Sequence, residues 1–432
     1  MTSSSPTKNS TRRVLIASLA GTTIEFFDFY IYATAAVLVF PKLFFPTSNP
    51  TTATLESLAT FALAFIARPF GAALFGHFGD KIGRKATLVA ALLTMGLSTF
   101  LIGLLPGYQS IGIWAPIALA TLRFGQGLGL GGEWGGAVLL ATENAPEGKK
   151  ARFGMFPQLG APLGFICSSG IFLILGKLLT EEQFQDYGWR IPFISSAILV
   201  AVGLYVRLKL IETPAFLEAV EKKERVKFPI LKLFSNHTKV LTLGTFACVT
   251  AFLCFYLMTV FSLSWGTSAM KYARQGYLLT QISSMLFFTL GIIISAVLAD
   301  KYERVQVWMF ATTVVIVFGF FIPYLFVAGN WPSIIVFHYI GLMLMGLSYG
   351  LIGTALAELF PTNVRYTGAS LAFTLAGILG GSLTPFIATM LARDYGINYV
   401  GYFLSATALI SLIALVLARN DMKENKTVEI KL

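Results

Sequence analysis

The chain has 432 residues, 56% of them hydrophobic and only 12% charged, where an average soluble chain carries roughly 25% charge. About 240 apolar residues cannot hide in one globular core, but they would fill about twelve spanning helices of about 20 residues each. The 40 Gly and 17 Pro are scattered and only three Cys occur, so disorder, fibres and a disulfide scaffold are excluded, leaving a polytopic membrane protein.

The first apolar run, 14–40, follows Thr11-Arg12-Arg13, which has the look of an export signal. A cleavable signal has an apolar region of about 7 to 15 residues, and this run is longer and carries Glu25 and Asp28 in its middle. It is read as an uncleaved spanning helix. Further spans are expected near 55–79, 86–105, 111–141, 155–178, 190–209, 240–265, 277–299, 306–328, 333–357, 366–391 and 399–418.

The net charge of +11 would suggest nucleic acid in a soluble protein, but its distribution gives a different reading. Lys and Arg concentrate in alternate loops: Lys8, Arg12 and Arg13; Lys81, Arg84 and Lys85; Lys149, Lys150 and Arg152; the run from Arg207 to Lys239; Lys301 and Arg304; Arg365; and the tail from Arg419. The intervening loops hold only Lys42, Lys177, Arg190, Lys271, Arg274 and Arg393. This positive-inside bias predicts that both termini are cytoplasmic, with no nucleic-acid partner.

The predicted organisation is therefore a cytoplasmic N-terminus (1–13), a six-helix bundle (14–209), a cytoplasmic linker (210–239), a second six-helix bundle (240–418) and a cytoplasmic tail (419–432). An internal repeat supports the division. Asp80-Lys81 with Arg84 recurs as Asp300-Lys301 with Arg304 at an offset of 220 residues. Glu143, Pro146 and Arg152 recur as Glu358, Pro361 and Arg365, with the glutamates offset by 215 residues, close to the half-length of 216. Both matches fall at the same ends of equivalent helices, as in parallel-repeat transporters.

Charges at membrane depth are costly and survive where they are paired or functional. They are Glu25 and Asp28 in the first span, Arg68 in the second, and Arg123 and Glu133 in the fourth. At 1.5 Å per residue, Glu25 and Arg68 lie ~16 Å and Asp28 ~21 Å from one membrane edge, near the midplane. Glu25, Asp28 and Tyr32 stand at i, i+3 and i+7 on one helical face, and Arg123, Gln126, Leu130 and Glu133 repeat the pattern. Two acids and two arginines are thus expected to share a cavity. Arginine keeps its proton and offers a planar fork to a carboxylate, whereas a carboxylate between burial and arginine is a natural proton carrier. A neutralising ion pair that only permits insertion is the structural alternative, above all for Glu25 with Arg68.

Gly125, Gly127, Gly129, Gly131, Gly132, Gly135 and Gly136 follow no strand and cradle no Lys-Ser/Thr, so they read as close helix packing rather than a phosphate loop. Cys167, Cys248 and Cys254 lie in apolar runs and read as small packing residues. The second half offers Phe252, Phe255, Tyr256 and Trp265, then His338, Tyr339 and Tyr349. Tyr256 and Tyr339 are the expected ligand-lining tyrosines, because a hydroxyl at depth needs a partner, and His338 reads as a hydrogen-bonded packing residue, with a proton relay as the alternative.

Gly76-His77-Phe78-Gly79-Asp80-Lys81-Ile82-Gly83-Arg84-Lys85 resembles the loop signature of the major facilitator superfamily. Its metabolite:proton symporter branch is suggested by Glu25-Phe26-Phe27-Asp28-Phe29, Ala67-Arg68-Pro69-Phe70-Gly71, Gly131-Gly132-Glu133-Trp134-Gly135-Gly136, Gly188-Trp189-Arg190-Ile191-Pro192-Phe193, Glu212-Thr213-Pro214, and Glu358-Leu359-Phe360-Pro361 through Arg365-Tyr366-Thr367-Gly368. The resemblance covers nearly the whole chain. It implies an all-α fold of twelve helices in two six-helix bundles, in the inner membrane, carrying α-ketoglutarate, citrate, shikimate, proline or betaine with protons. It also implies an inner gate at Gly76, Asp80, Arg84 and Lys85, with Asp300 and Arg304 as the second-half counterparts. The second-half loop departs from the signature at Tyr302 and Glu303, which leaves gating there differently balanced. The short tail after Ala418 argues against an osmosensor of the branch.

The expectation is a symporter taking up a small carboxylate-bearing metabolite by alternating access. Substrate would meet Arg68, Arg123, Tyr32, Gln126, Tyr256 and Tyr339, and protons Asp28, Glu133 and Glu25. A zwitterion symporter and an exporter or uniporter of the same fold are the alternatives. No Ser-His pair, HExxH or paired GxGD aspartate occurs in the spans, so an intramembrane enzyme is excluded. Membrane lipid is the remaining partner, with no cofactor, metal or obligatory protein partner expected.

Overall fold

In a bilayer the backbone has no water to bond to, so each apolar run must satisfy its own amides and closes as a helix. The computed structural model describes residues 11–82, 84–131, 133–143, 145–208, 229–360 and 364–429. Its long helical passages are α1 (Thr11–Leu38), α2 (Pro50–Ile82), α3 (Arg84–Leu104), α4 in two pieces (Trp114–Leu130 and Trp134–Glu143), α5 (Lys150–Leu178) and α6 (Arg190–Leu208). They continue with α7 (Thr238–Ser268), α8 (Arg274–Lys301), α9 (Arg304–Leu325), α10 (Trp331–Glu358), α11 (Arg365–Ala376 and Thr384–Asp394) and α12 (Ile397–Glu429). No strand occurs among the described residues.

Among those residues, eight helices are long and apolar enough to cross a membrane by length and composition alone, and Glu181–Gly188 with Arg190–Tyr205 forms a further pair bent by 44°. With α1, α3 and the two-piece α4, the passages number twelve, in two groups of six. The fold is that of an all-α, multi-pass membrane protein. Turns end the helices where the chain must reverse: Gly112, Gly329 and Gly396 take positive φ of 58°, 82° and 97°. Asn330 caps α10 by accepting from the Ser333 amide at 3.2 Å.

The internal repeat is built into the packing. A Cβ at Gly71 of α2 would collide with the Leu128 carbonyl of α4, and one at Gly131 with the Arg68 carbonyl. The equivalents 220 and 215 residues on are Gly291 of α8, backed by the Met343 carbonyl, and Gly346 of α10, backed by the Phe288 carbonyl. In both halves a glycine on each helix lets two backbones touch.

We call the face carrying residues 145–149, 302–303 and 359–360 the basic face, after its lysines and arginines. The halves touch at three levels. At the basic face, Asp300 of α8 accepts from the amides of Ala151 and Arg152 at 2.9 and 3.3 Å, capping the N-terminus of α5 where amides are unsatisfied and the helix dipole is positive. Arg152 adds a contact at 3.5 Å. One level deeper, Trp134 of α4 stacks on Phe373 of α11 with ring centroids 3.7 Å apart. Trp134 also donates to Gln158 of α5 at 3.1 Å, and Gln158 donates to the Tyr349 carbonyl of α10 at 2.8 Å. At the opposite face, Gln275 of α8 bonds the Gly176 carbonyl of α5, and Arg274 meets Glu181 at 3.1 Å and the Phe184 ring at 4.2 Å.

Where helices α7 and α11 line the middle of the interface, each is interrupted by a π turn, at Leu257–Phe261 and Gly377–Ser382. Such turns mark places where the regular ladder is locally widened. Of the cysteines, Cys248 and Cys254 are buried as expected, whereas Cys167 is exposed on α5 and is not a core packing residue. An apolar sequence context does not distinguish a lipid-facing position from a buried one.

Candidate functional site

The first-half charges converge because α1, α2, α3, α4 and α6 present one face each to the same interior. Asp28 is fully buried. Its Oδ1 accepts from the Ser196 hydroxyl of α6 at 2.6 Å, and its Oδ2 from Thr99 of α3 at 3.2 Å. Thr99 Oγ1 in turn accepts from Gln126 Nε2 of α4 at 2.7 Å, and Gln126 Oε1 accepts from Arg123 Nη1 at 2.9 Å. Asp28 therefore reaches Arg123 through two neutral side chains.

Arg123 is also fully buried, and its guanidinium lies over the rings of Tyr32, Phe29 and Phe61 at 4.0, 4.4 and 5.0 Å. Arg68 lies over Phe29 and Phe65 at 4.8 and 4.9 Å. Each ring face attracts a cation electrostatically, so the box holds two positive groups at membrane depth. The shared Phe29 ring packs against Phe61, Phe65 and Tyr256 with centroids 5.3, 5.2 and 6.3 Å away. Nε and Nη2 of Arg123 and Nε of Arg68 are buried and make no hydrogen bond to the protein among the described residues. Nε and Nη2 form the edge of the guanidinium fork that takes a carboxylate in two parallel bonds.

The second half closes the box with uncharged groups. Tyr256 of α7 meets Phe61 and Phe65 with centroids 5.6 and 5.4 Å away, and Tyr30 of α1 meets Phe255 at 5.3 Å. Gly381, in the π turn of α11, leaves room for these rings, since a Cβ there would stand 2.8 Å from Phe65 and 2.9 Å from Tyr256. Tyr349 reaches the same region through Phe288, whose ring centroid lies 5.8 Å from Tyr349 and 5.7 Å from Phe255. His338 is fully buried, with Nδ1 2.8 Å from the Ile334 carbonyl and Nε2 3.1 Å from the Ser262 hydroxyl, which also receives Gln281 at 3.2 Å. Both ring nitrogens are satisfied, as a packing histidine requires.

Residues 13–232 match the sugar (and other) transporter family, half of the chain. The chain is 54% identical over 422 residues to the inner membrane metabolite transport protein YhjE of Escherichia coli (strain K12), covering 96% of each protein. It is 35% identical to the shikimate transporter of the same organism, covering 95% of each. This chain belongs to the sugar (and other) transporter family of the major facilitator superfamily. The fold agrees: a D-xylose-proton symporter superposes with a TM-score of 0.73 at 15% identity, covering 95% of this chain and 97% of that one. The protein is a metabolite transporter, not an enzyme.

In this transporter Arg68, Arg123, Tyr32, Gln126, Tyr256 and Asp28 meet around the aromatic box. Tyr32 donates to or accepts from Thr60 at 2.7 Å. Glu25 is buried on α1, and Glu133 is buried at the break in α4 beside Trp134. Tyr339 is not brought to the box. Its hydroxyl is 3.1 Å from Ser283 and its ring stacks on Phe287 at 4.3 Å. It lines a separate cavity of about 660 Å³ with Tyr272, Thr280 and Trp331. Ten residues along α10, about 15 Å, separate it from Tyr349, which is the tyrosine at the level of the box.

Of the expected gate, the side chains of Gly76, Asp80, Arg84 and Lys85 lie outside the described residues. Asp300 caps α5, and Arg304 pairs with Glu358 of α10. The departure at Glu303 is answered by Arg419 of α12, which meets its two carboxylate oxygens at 2.9 Å each. Sequence reasoning missed Thr99, Ser196 and Gln158. It also missed Phe61 and Phe65, although their spacing of seven and three residues before Arg68 places them on its helical face.

Proposed function

We propose that the protein is a proton-coupled symporter for a small carboxylate-bearing metabolite, working by alternating access from the inner membrane with both termini in the cytoplasm. The observation that carries this reading is the open Nε/Nη2 edge of Arg123, buried in an aromatic box beside Arg68. Buried donors to a charged group are normally satisfied, and a planar carboxylate fits that edge. The named cargoes of its relatives agree: shikimate, proline, glycine betaine, ectoine and pipecolic acid each bear a carboxylate.

Arg68 and Arg123 hold the substrate carboxylate, with Tyr32, Gln126 and Tyr256 shaping the space around it. Asp28 carries the coupled proton, with Glu133 and Glu25 as the other buried carboxylates able to share it. The contacts of Asp300 and Arg304 hold the basic face, which on this reading is cytoplasmic, and the bundles 14–209 and 240–418 rock against each other about the box. A zwitterionic cargo would place a cation on the same rings, but guanidinium groups already occupy the faces of Phe29, Phe61 and Phe65, which favours the anion.

The test is uptake of a labelled panel of dicarboxylates, tricarboxylates, shikimate and betaines by cells expressing the chain, with and without a proton gradient. Gradient-dependent uptake of a carboxylate that Arg123→Lys strongly weakens is expected. Uptake indifferent to the gradient would leave a uniporter, and uptake indifferent to Arg123→Lys would move that residue to a structural role.

A further inference from the structure

The tyrosine that the aromatic box leaves out lines a crevice of its own. The cavity of about 660 Å³ follows the seam between two helices, with Gly276, Leu279 and Ser283 on α8 and Trp331, Ile335 and Tyr339 on α10. On each helix these residues stand three or four apart, on one face. The seam opens onto the outer surface of the bundle. Leu279 at its rim is 55% exposed, and the same stripe of α8 continues through the exposed Leu286, Leu290 and Ile294, with Val336 and Ile340 exposed beside it on α10. Apolar side chains exposed along spanning helices meet lipid.

Depth and chemistry narrow what fits. Each helix has 28 residues, about 42 Å against roughly 30 Å of hydrocarbon, so with the excess shared each end rises ~6 Å to headgroup level. Ser283 and Tyr339 lie nine and eight residues from Arg274 and Trp331, which takes the crevice ~6–8 Å below the hydrocarbon edge. Ser283 donates to the Thr280 carbonyl at 2.9 Å and Tyr339 donates to Ser283 Oγ at 3.1 Å, so neither keeps a free proton for a polar ligand and both can border an acyl chain. At the mouth, Tyr272 and Trp331 stand with ring centroids 4.8 Å apart, at the level that aromatic residues favour in a bilayer. Arg274 is turned to Glu181, whereas Lys271, one residue before Tyr272, is exposed and brings an ammonium to headgroup level.

We propose that the crevice between α8 and α10 binds one phospholipid of the leaflet away from the basic face, with an acyl chain along Leu279, Ile335 and Tyr339 and the phosphate beside Lys271. The site depends on the chain spanning a bilayer and is independent of the cargo and of proton coupling. Its rival is the ordinary lipid annulus, which covers every exposed apolar stripe alike.

Fluorescence of the full chain in vesicles containing a phospholipid brominated on one acyl chain separates the two, because bromine quenches a tryptophan that it touches. The Trp331 signal is the difference between the unsubstituted protein and Trp331→Phe. Trp114, 67% exposed at the same end of its bundle, is isolated in the same way and reports the annulus. Quenching of Trp331 should saturate at a mole fraction of brominated lipid several-fold below that needed for Trp114. Gly276→Leu fills the crevice, since a Cβ there meets only the Trp331 ring, at 3.6 Å, and it should remove the difference. Ile335→Phe narrows the crevice from α10 and carries the same expectation if Gly276→Leu does not fold. Lys271→Gln should weaken the Trp331 site several-fold and leave Trp114 unchanged, and no change there would overturn the phosphate contact. Matching profiles for Trp331 and Trp114 in the unsubstituted protein would overturn the site in favour of annular lipid only, as would a Trp331 profile that neither filling variant moves.

Discussion

The two halves share a repeat in their glycines and differ in their chemistry. Among the described residues the first half buries Glu25, Asp28, Arg68, Arg123 and Glu133 at membrane depth, whereas the polar residues fully buried in the second half are hydroxyls, Gln281 and His338. Its charged contacts lie at the ends of its helices, as with Asp300, Arg304, Glu303 and Arg419. π turns occur in both halves, at Phe184–Gly188 in the first and at Leu257–Phe261 and Gly377–Ser382 in the second, and the latter two lie beside the box. One half brings buried charges to the box and the other offers it neutral surface, partly from helices with a locally widened ladder. A pair of halves built alike thus differs in where it buries charge.

The largest effect expected from breaking this division is at Asp28. Asp28→Asn is close in shape and cannot titrate, so the variant should insert, retain substrate counterflow and lose accumulation driven by a pH gradient. Full accumulation would assign Asp28 a structural role, and loss of counterflow as well would place it in the substrate site. Glu133→Gln should show the same pattern if the proton rests there instead, and neither alone will show it fully if the pair shares one proton.

Arg123→Lys comes next. It keeps the charge and loses the fork, and a charge-assisted hydrogen bond is worth about 1.5–3 kcal/mol, so affinity for a carboxylate substrate should fall about ten- to hundredfold. Binding assays on purified protein measure this directly, and unchanged affinity would contradict the carboxylate assignment.

On the neutral half the effects should be mechanical. Gly381→Ala places a methyl against the movable ring ends of Phe65 and Tyr256, so transport should slow several-fold with normal expression. Gly380→Ala meets the Val249 carbonyl instead, and backbone yields less than a ring, so this variant should lower thermal stability as well. Equal behaviour of the two in a melting assay would show that ring packing at the box is as stiff as backbone.

A smaller shift is expected at Asp300→Asn. The amide still accepts from Ala151 and Arg152 but loses its charge at the α5 N-terminus, an effect of about 0.3–1 kcal/mol. Cysteine labelling from the basic face should rise by a few-fold at most. His338→Gln should change transport least, since both ring nitrogens already have partners in Ile334 and Ser262. A strong loss of proton coupling in that variant would break the division between the halves.

Much of this was legible in the sequence because it depends on local rules. Apolar length gave the helical passages, and i, i+3, i+7 spacing put Glu25, Asp28 and Tyr32 on one face and Arg123 beside Gln126, which the structure joins at 2.9 Å. The duplicated Asp-Lys and Glu-Pro motifs located the repeat that Gly71 and Gly291 repeat in the packing. Sequence did not separate Tyr339 from Tyr349, because hydroxyl chemistry is the same at both positions, and only depth along α10 sets Tyr339 apart from the box.

Composition, spacing and charge order determine which segments become helices in a bilayer, because backbone satisfaction there is a local demand. They also determine which charges lie at depth. What those charges touch was decided by the tertiary structure alone: Thr99 and Ser196 reach Asp28 from 71 and 168 residues away. Both are common residues in spanning helices, so neither carries a signal of its own. Packing of α3 and α6 against α1 gives them their role, because hydrogen bonds in a buried site depend on distance in space and not on separation along the chain.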